Sequence, residues 1–131
     1  MPNSSTQKLN AYPIVAFLTT SDPAKAKSFF GDTLGLQFVS EDGFAVVFNG
    51  HGTSLRISIV PKVTPAQYTV LGWEVPEIAS AAQELVAAGV TLEKFPGMGQ
   101  DELGVWTAPG GAAKVVWFKD PDGNVLSLSQ H

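Results

Sequence analysis

The chain repeats its own pattern. An apolar strand, a helix opened by a proline, a glycine stop and further apolar runs occur twice, at an offset of about 55 residues. Two copies are too few for a solenoid, so the pattern reads as an internal duplication. In the first copy, Ile14 to Thr19 is apolar on both faces, which predicts a buried central strand. Asp22–Pro23 then supplies an N-cap and an N1 proline. The helix they open carries Ala26, Phe29, Phe30 and Leu34 on one stripe and stops at Gly35. Leu36–Ser40 and Phe44–Phe48 flank Glu41–Asp42–Gly43, a hairpin signal, and a turn at Asn49–Gly50–His51–Gly52 leads to the alternating Leu55, Ile57 and Ile59.

The second copy starts with a strand from Thr69 to Val75 and a helix opened by Pro76–Glu77, with Ile78, Ala82 and Leu85 as its stripe and Gly89 as its stop. Val90 to Leu92 is expected to begin another strand. Lys114–Phe118 and Val125–Leu128 form a last hairpin around Asp120–Pro121–Asp122–Gly123. A linker from Pro61 to Gln67 joins the copies. Phe95 to Gly111, rich in glycine and containing Trp106, has no counterpart in the first copy. It reads equally as a functional lid or as an ordinary hairpin extension.

At 131 residues the expectation is a single domain over 1–131, with modules at about 12–60 and 68–130. A 44% hydrophobic, 15% charged composition supports a packed core rather than disorder. The net charge of −4, with Arg56 as the sole arginine, argues against a nucleic-acid partner. With no cysteine, disulfides, thiolate catalysis and cysteine-held metals are excluded, and a reducing compartment fits. No segment has the length of a membrane span, and Met1 to Asn10 is polar, read as a loose tail without a signal-peptide core. The expected location is the cytoplasm.

Period-two alternation assigns faces. Leu126 and Leu128 turn toward the helices and Ser127 and Ser129 away; Leu55, Ile57 and Ile59 turn toward them and Arg56 and Ser58 away. Leu71, Trp73 and Val75 lie under the second helix, with Val70, Gly72 and Glu74 opposite. Two curled sheets with helices outside would share a cup carrying Val15, Phe17, Thr19, Arg56, Ser58, Val70, Glu74 and Ser127, a concave, mixed surface of the small-molecule kind. The same face also suits burial against a partner chain.

Ser21–Asp22–Pro23 through Phe29–Phe30 to Thr33–Leu34–Gly35–Leu36, Trp73 to Glu77 with Leu85 and Ala88–Gly89–Val90, and Phe118 to Asn124 resemble the signature stretches of the vicinal oxygen chelate superfamily. This group includes glyoxalases, bleomycin resistance proteins and extradiol dioxygenases. The resemblance covers about Ile14 to Ser129 and implies an α+β fold: two βαβββ modules forming a curled mixed-sheet cup with helices outside. It also implies metal-ligand positions on the first, fourth, fifth and eighth strands. Counted from the shared motifs, these are Val15, Arg56, Val70 and Ser127. A divalent cation needs deprotonated oxygen or imidazole ligands, and an arginine repels it. His51 and His131, the two histidines, lie outside these strands and read as solvated, as does the pair Asp101–Glu102.

No metal and no cofactor are therefore expected. The leading expectation is a metal-free protein that sequesters a small organic ligand, anionic or aromatic, as a homodimer. Arg56 serves as an anion receptor or as the ion-pair partner of Glu74. Phe17 and Trp106 supply stacking surface, and Ser58 and Ser127 polar contacts. One of Trp117 and Phe118 faces the cup. The competing expectation is an enzyme of the same superfamily, a lyase, isomerase or dioxygenase using Glu74 or a metal held by Glu74 and Asp101. A third is an interaction subunit whose cup is filled by its own side chains.

Overall fold

The computed structural model describes residues 8–131. Most of the tail expected at Met1–Asn10 lies outside the described residues. Strand β1 (Val15–Thr20) leads to helix α1 (Pro23–Lys27), where the Lys25 N–H donates to Asp22 Oδ1 at 3.1 Å and the proline stands in the first turn. The helix continues as a wider π-helical stretch over Ser28–Thr33, and Gly35 ends it at φ +80°. Strands β2 (Gln37–Glu41), β3 (Ala45–Gly50) and β4 (Thr53–Ile59) complete the first module. In the hairpin between β2 and β3, Asp42 Oδ1 accepts from the N–H groups of Phe44 and Ala45 at 2.8 and 3.0 Å, so the aspartate shapes this turn with its side chain.

The second module repeats the plan with β5 (Thr69–Glu74), α2 (Ile78–Ala87), β6 (Trp106–Thr107), β7 (Lys114–Lys119) and β8 (Val125–Gln130). Each module is a four-stranded mixed sheet, ordered β1-β4-β3-β2 and β5-β8-β7-β6. In both, the first strand runs parallel to the last and the remaining pairs are antiparallel. This is the expected α+β fold of two βαβββ modules.

Two expectations are corrected. Val90–Leu92 forms no strand; Leu92 makes a single bridge to Phe118, and the sheet's edge is β6 inside the glycine-rich segment. The Phe95–Gly111 stretch thus holds the missing fourth strand. Its turns are tied by hydrogen bonds: Gln100 Nε2 donates to the carbonyls of Glu93 and Gly104 at 3.0 and 2.8 Å. The second correction concerns β1, which is an edge strand rather than a central one. Its inner residues, Ala16 and Leu18, pack into the core, while Val15 and Phe17 stay 44% and 63% exposed on the open face. Apolar residues on both faces do not say how many neighbours a strand has.

One hydrophobic cluster runs through both modules, from Leu18, Phe30, Phe48 and Ile57 to Ile78, Ala82, Phe118 and Leu126. Burial of each large side chain contributes about 1.5–3 kcal/mol, enough in sum to hold the helices on the sheets. Trp73 stacks on Phe118, with ring centroids 6.2 Å apart and planes 19° off parallel. The modules are also joined by polar contacts. Asn124 Nδ2 donates to the Thr19 carbonyl at 3.1 Å, and Asp122 Oδ1 accepts from the Ser21 N–H and hydroxyl at 3.0 and 3.1 Å. The Asp120–Asn124 turn is therefore a clasp between the copies.

Candidate functional site

With the helices and the core on one side of each sheet, the opposite faces are open. On the first sheet Phe17 lies beside Arg56 across the parallel β1–β4 pair, Thr19 lies beside Ser58, and Val47 flanks Arg56 from β3. Phe17 and Arg56 are both exposed. Arg56 has no carboxylate within ion-pair distance among the described residues. Its charge is felt by Asp42, whose carboxyl is held below the usual range first by the Phe44 and Ala45 N–H groups and last by Arg56. The first sheet thus offers a guanidinium beside an aromatic ring, with the Ser58 hydroxyl one alternation further along β4.

On the second sheet Gly72 lies beside Ser127, and Glu74 beside Ser129. Ser127 is buried, and a Cβ at position 72 would come within 2.7 Å of Ser127 Oγ, so the glycine makes room for the hydroxyl. Trp117 pairs with Ser127 on this face, whereas Phe118 pairs with Leu126 and is fully buried. The open question between those two aromatics is settled by register. Trp106 on β6 tilts against Trp117 at 6.2 Å, and Phe95 meets it edge-on at 5.7 Å.

The structure divides the expected site residues between two sheets. Arg56, Phe17 and Ser58 share the first sheet's open face; Glu74, Trp106 and Ser127 share the second's. The ion pair with Glu74, one of the two roles expected for Arg56, does not form. Glu74 Oε1 lies 2.8 Å from His131 Nδ1, and since a carboxylate only accepts, the imidazole donates. Alternation along a strand gives the face but not the sheet that face belongs to. His51 is exposed in the β3–β4 turn, as expected. Asp101 is committed elsewhere: its Oδ1 accepts from the N–H groups of Leu103, Gly104 and Val105 at 3.0, 3.0 and 2.8 Å, which spends it on a turn rather than on a metal.

Sequence reasoning missed Lys119, Phe95 and Tyr68. With Trp117 and the linker around Pro65 they line a groove of about 590 Å³ beside the second sheet. A usable signal was present for Trp117 and Lys119. The hairpin turn pairs Asp120 with Asn124, and counting back from it puts Trp117 and Lys119 on the face opposite Phe118.

The topology has counterparts among known proteins. Residues 13–128 match the family model described as the Glyoxalase/Bleomycin resistance protein/Dioxygenase superfamily. The chain belongs to that superfamily. Among solved structures it is similar to a superfamily member from Sphaerobacter thermophilus, with 26% identity over 92% of this chain and 97% of that one and a TM-score of 0.69. It is also similar to the fosfomycin resistance protein FosX from Listeria monocytogenes, with 13% identity, 90% and 91% coverage and a TM-score of 0.72. Lactoylglutathione lyase from Agrobacterium tumefaciens aligns with 17% identity, 92% and 93% coverage and a TM-score of 0.69. No curated protein sequence matches the chain. No helix among the described residues is long and apolar enough to cross a membrane.

Within this glyoxalase-superfamily fold, Val15 and Arg56 project from the first sheet's open face, Val70 is exposed at the irregularity between Thr69 and Leu71, and Ser127 is buried between Gly72 and Trp117. Two alkyl groups, a cation and a hydroxyl do not make a divalent-metal donor set. Among the described residues, no three His, Asp or Glu side chains gather closely enough to replace them.

Proposed function

We propose that this superfamily member is a metal-free, cytoplasmic small-molecule binding protein that sequesters an anionic or aromatic ligand. The observation that carries the proposal is Arg56, exposed beside Phe17 and without a carboxylate partner among the described residues, at a position where the resemblance to the superfamily implies a metal ligand. A guanidinium is permanently charged and matches carboxylate or phosphate in a bidentate fork. The ring beside it adds apolar surface for the rest of a ligand. Ser58, Ser127, Trp106 and Glu74 belong to the same proposal as contacts from the two open faces. A homodimer is part of the reading, since Val15, Phe17 and Val70 leave an apolar surface that a second copy would cover. Sedimentation at micromolar concentration checks it, and a monomer would refute that part.

Native mass spectrometry of freshly purified protein tests the main proposal. A retained organic anion, lost in Arg56→Ala, is the expected result. Retention that is indifferent to Arg56 overturns it.

A second reading is favoured by one observation, the Glu74–His131 pair at 2.8 Å. A carboxylate-oriented imidazole is the arrangement of a general base, which supports an isomerase or lyase of this superfamily. Turnover of an aldehyde–glutathione adduct or an epoxide that is abolished by Glu74→Gln would establish it.

A further inference from the structure

We propose that the groove between the inter-module linker and the second sheet is a binding site for a flat aromatic molecule carrying one anionic group, with its ring on Trp117 and its charge on Lys119. The inference rests on the small-molecule reading above but places a ligand on residues that reading does not use. At about 590 Å³ the groove lies inside the usual size range of small-molecule sites, about 300–1,000 Å³. Its floor is Trp117, Lys119 and Val125, its walls the Pro65–Thr69 linker and Phe95.

The indole is held before any ligand arrives. Phe95 meets it edge-on at 5.7 Å and 77°, Trp106 tilts against it at 6.2 Å, and the Trp117 carbonyl accepts from the Glu93 N–H at 2.8 Å. A ring fixed in this way loses little freedom when a second ring packs on it. Tyr68, 71% exposed at the rim, adds a further aromatic surface.

Lys119 sets the sign of the charge, being the ionised residue that lines the groove. Its present partner is Glu93, at 3.8 Å, with the lysine side chain half exposed. A pair this long and this open contributes little, so a ligand carboxylate can replace Glu93. Glu93 itself opposes an anion, and its removal should therefore strengthen binding.

Calorimetric titration with 2-naphthoate, neutral 2-naphthylmethanol and cationic 2-naphthylmethylammonium tests the assignment. The folded protein should prefer naphthoate. Lys119→Met should abolish the preference over the alcohol, Glu93→Gln should tighten naphthoate several-fold, and Trp117→Leu should weaken all binding by about tenfold, the size of one aromatic contact. Naphthoate binding that is lost in Arg56→Ala but kept in Lys119→Met would refute this site and preserve the Arg56 proposal. Preference for the cation, or no naphthoate binding up to millimolar concentration, would refute the site outright. Lys119→Met and Glu93→Gln change a half-exposed and a partly exposed side chain, so the test does not depend on whether the Trp117 variant folds.

Discussion

Replacing Asn124 with alanine should cost about 2–4 kcal/mol of stability. The Asn124 amide donates to Asp120 Oδ2 at 2.8 Å and to the Thr19 carbonyl at 3.1 Å, and both Asn124 and Asp120 are buried. A hydrogen bond to a charged group contributes about 1.5–3 kcal/mol and a neutral one about 0.5–1.5, and alanine leaves both acceptors without this donor. Against a total of about 5–15 kcal/mol that is a large fraction. The loss should also depend on pH. Burial pushes the Asp120 carboxyl above its ordinary range, and the Asn124 side chain, with the Asn124 and Asp122 N–H groups, pulls it back. Without the amide the carboxyl should rise further. A carboxyl raised in the folded state gives stability that is present below its unfolded value and lost as pH rises through its folded value. The deficit of Asn124→Ala should therefore be greatest near neutral pH and shrink on acidification. Urea unfolding at several pH values, with the slope m as a check on the denatured state, reads both effects. A loss under about 0.5 kcal/mol, or a deficit that grows on acidification, would show that the clasp contributes little to joining the modules.

Arg56→Ala should change stability by less than about 0.5 kcal/mol, because the exposed guanidinium forms no ion pair among the described residues, and yet should weaken an anionic ligand by about 1.5–3 kcal/mol. Thermal unfolding and titration of the same variant separate the two. Asp42→Asn should flatten the acid limb of the stability curve. The folded Asp42 carboxyl lies below its unfolded value, so its contribution is present above the unfolded value and lost as pH falls through the folded one. Identical acid limbs in variant and parent would contradict this. Gly72→Ala should cost about 1–3 kcal/mol through its clash with Ser127 Oγ, and Ser127→Gly should restore most of it.

Much of the fold was legible because its signals are local. Asp22 and Pro23 announce a helix start, Gly35 and Gly89 its stops, and Asp120 to Asn124 a hairpin, whatever the rest of the chain does. The β6 strand was not legible. Trp106–Thr107 is two residues long, too short to alternate, and it is placed by pairing with Val115 and Lys114. The site was half legible for a similar reason. Alternation put Arg56, Phe17 and Ser127 on open faces, but whether two open faces meet depends on how the sheets pack, which no strand's own sequence encodes. The Arg56–Glu74 pair, one of the two roles expected for Arg56, failed at that step, whereas the reading of β1 as a central strand failed on strand order within its own sheet. Trp117 and Lys119 needed only the register around Asn124.

In the proposed function the open faces bind a small molecule while Val15, Arg56, Val70 and Ser127 hold no divalent metal. Metal content by plasma mass spectrometry, on protein purified without chelator and again after incubation with zinc, nickel, manganese and iron(II), tests it most directly. Far less than one ion per chain is expected in every case, with the Arg56-dependent ligand still bound. One ion per chain, retained through gel filtration and displaced together with that ligand, would contradict it.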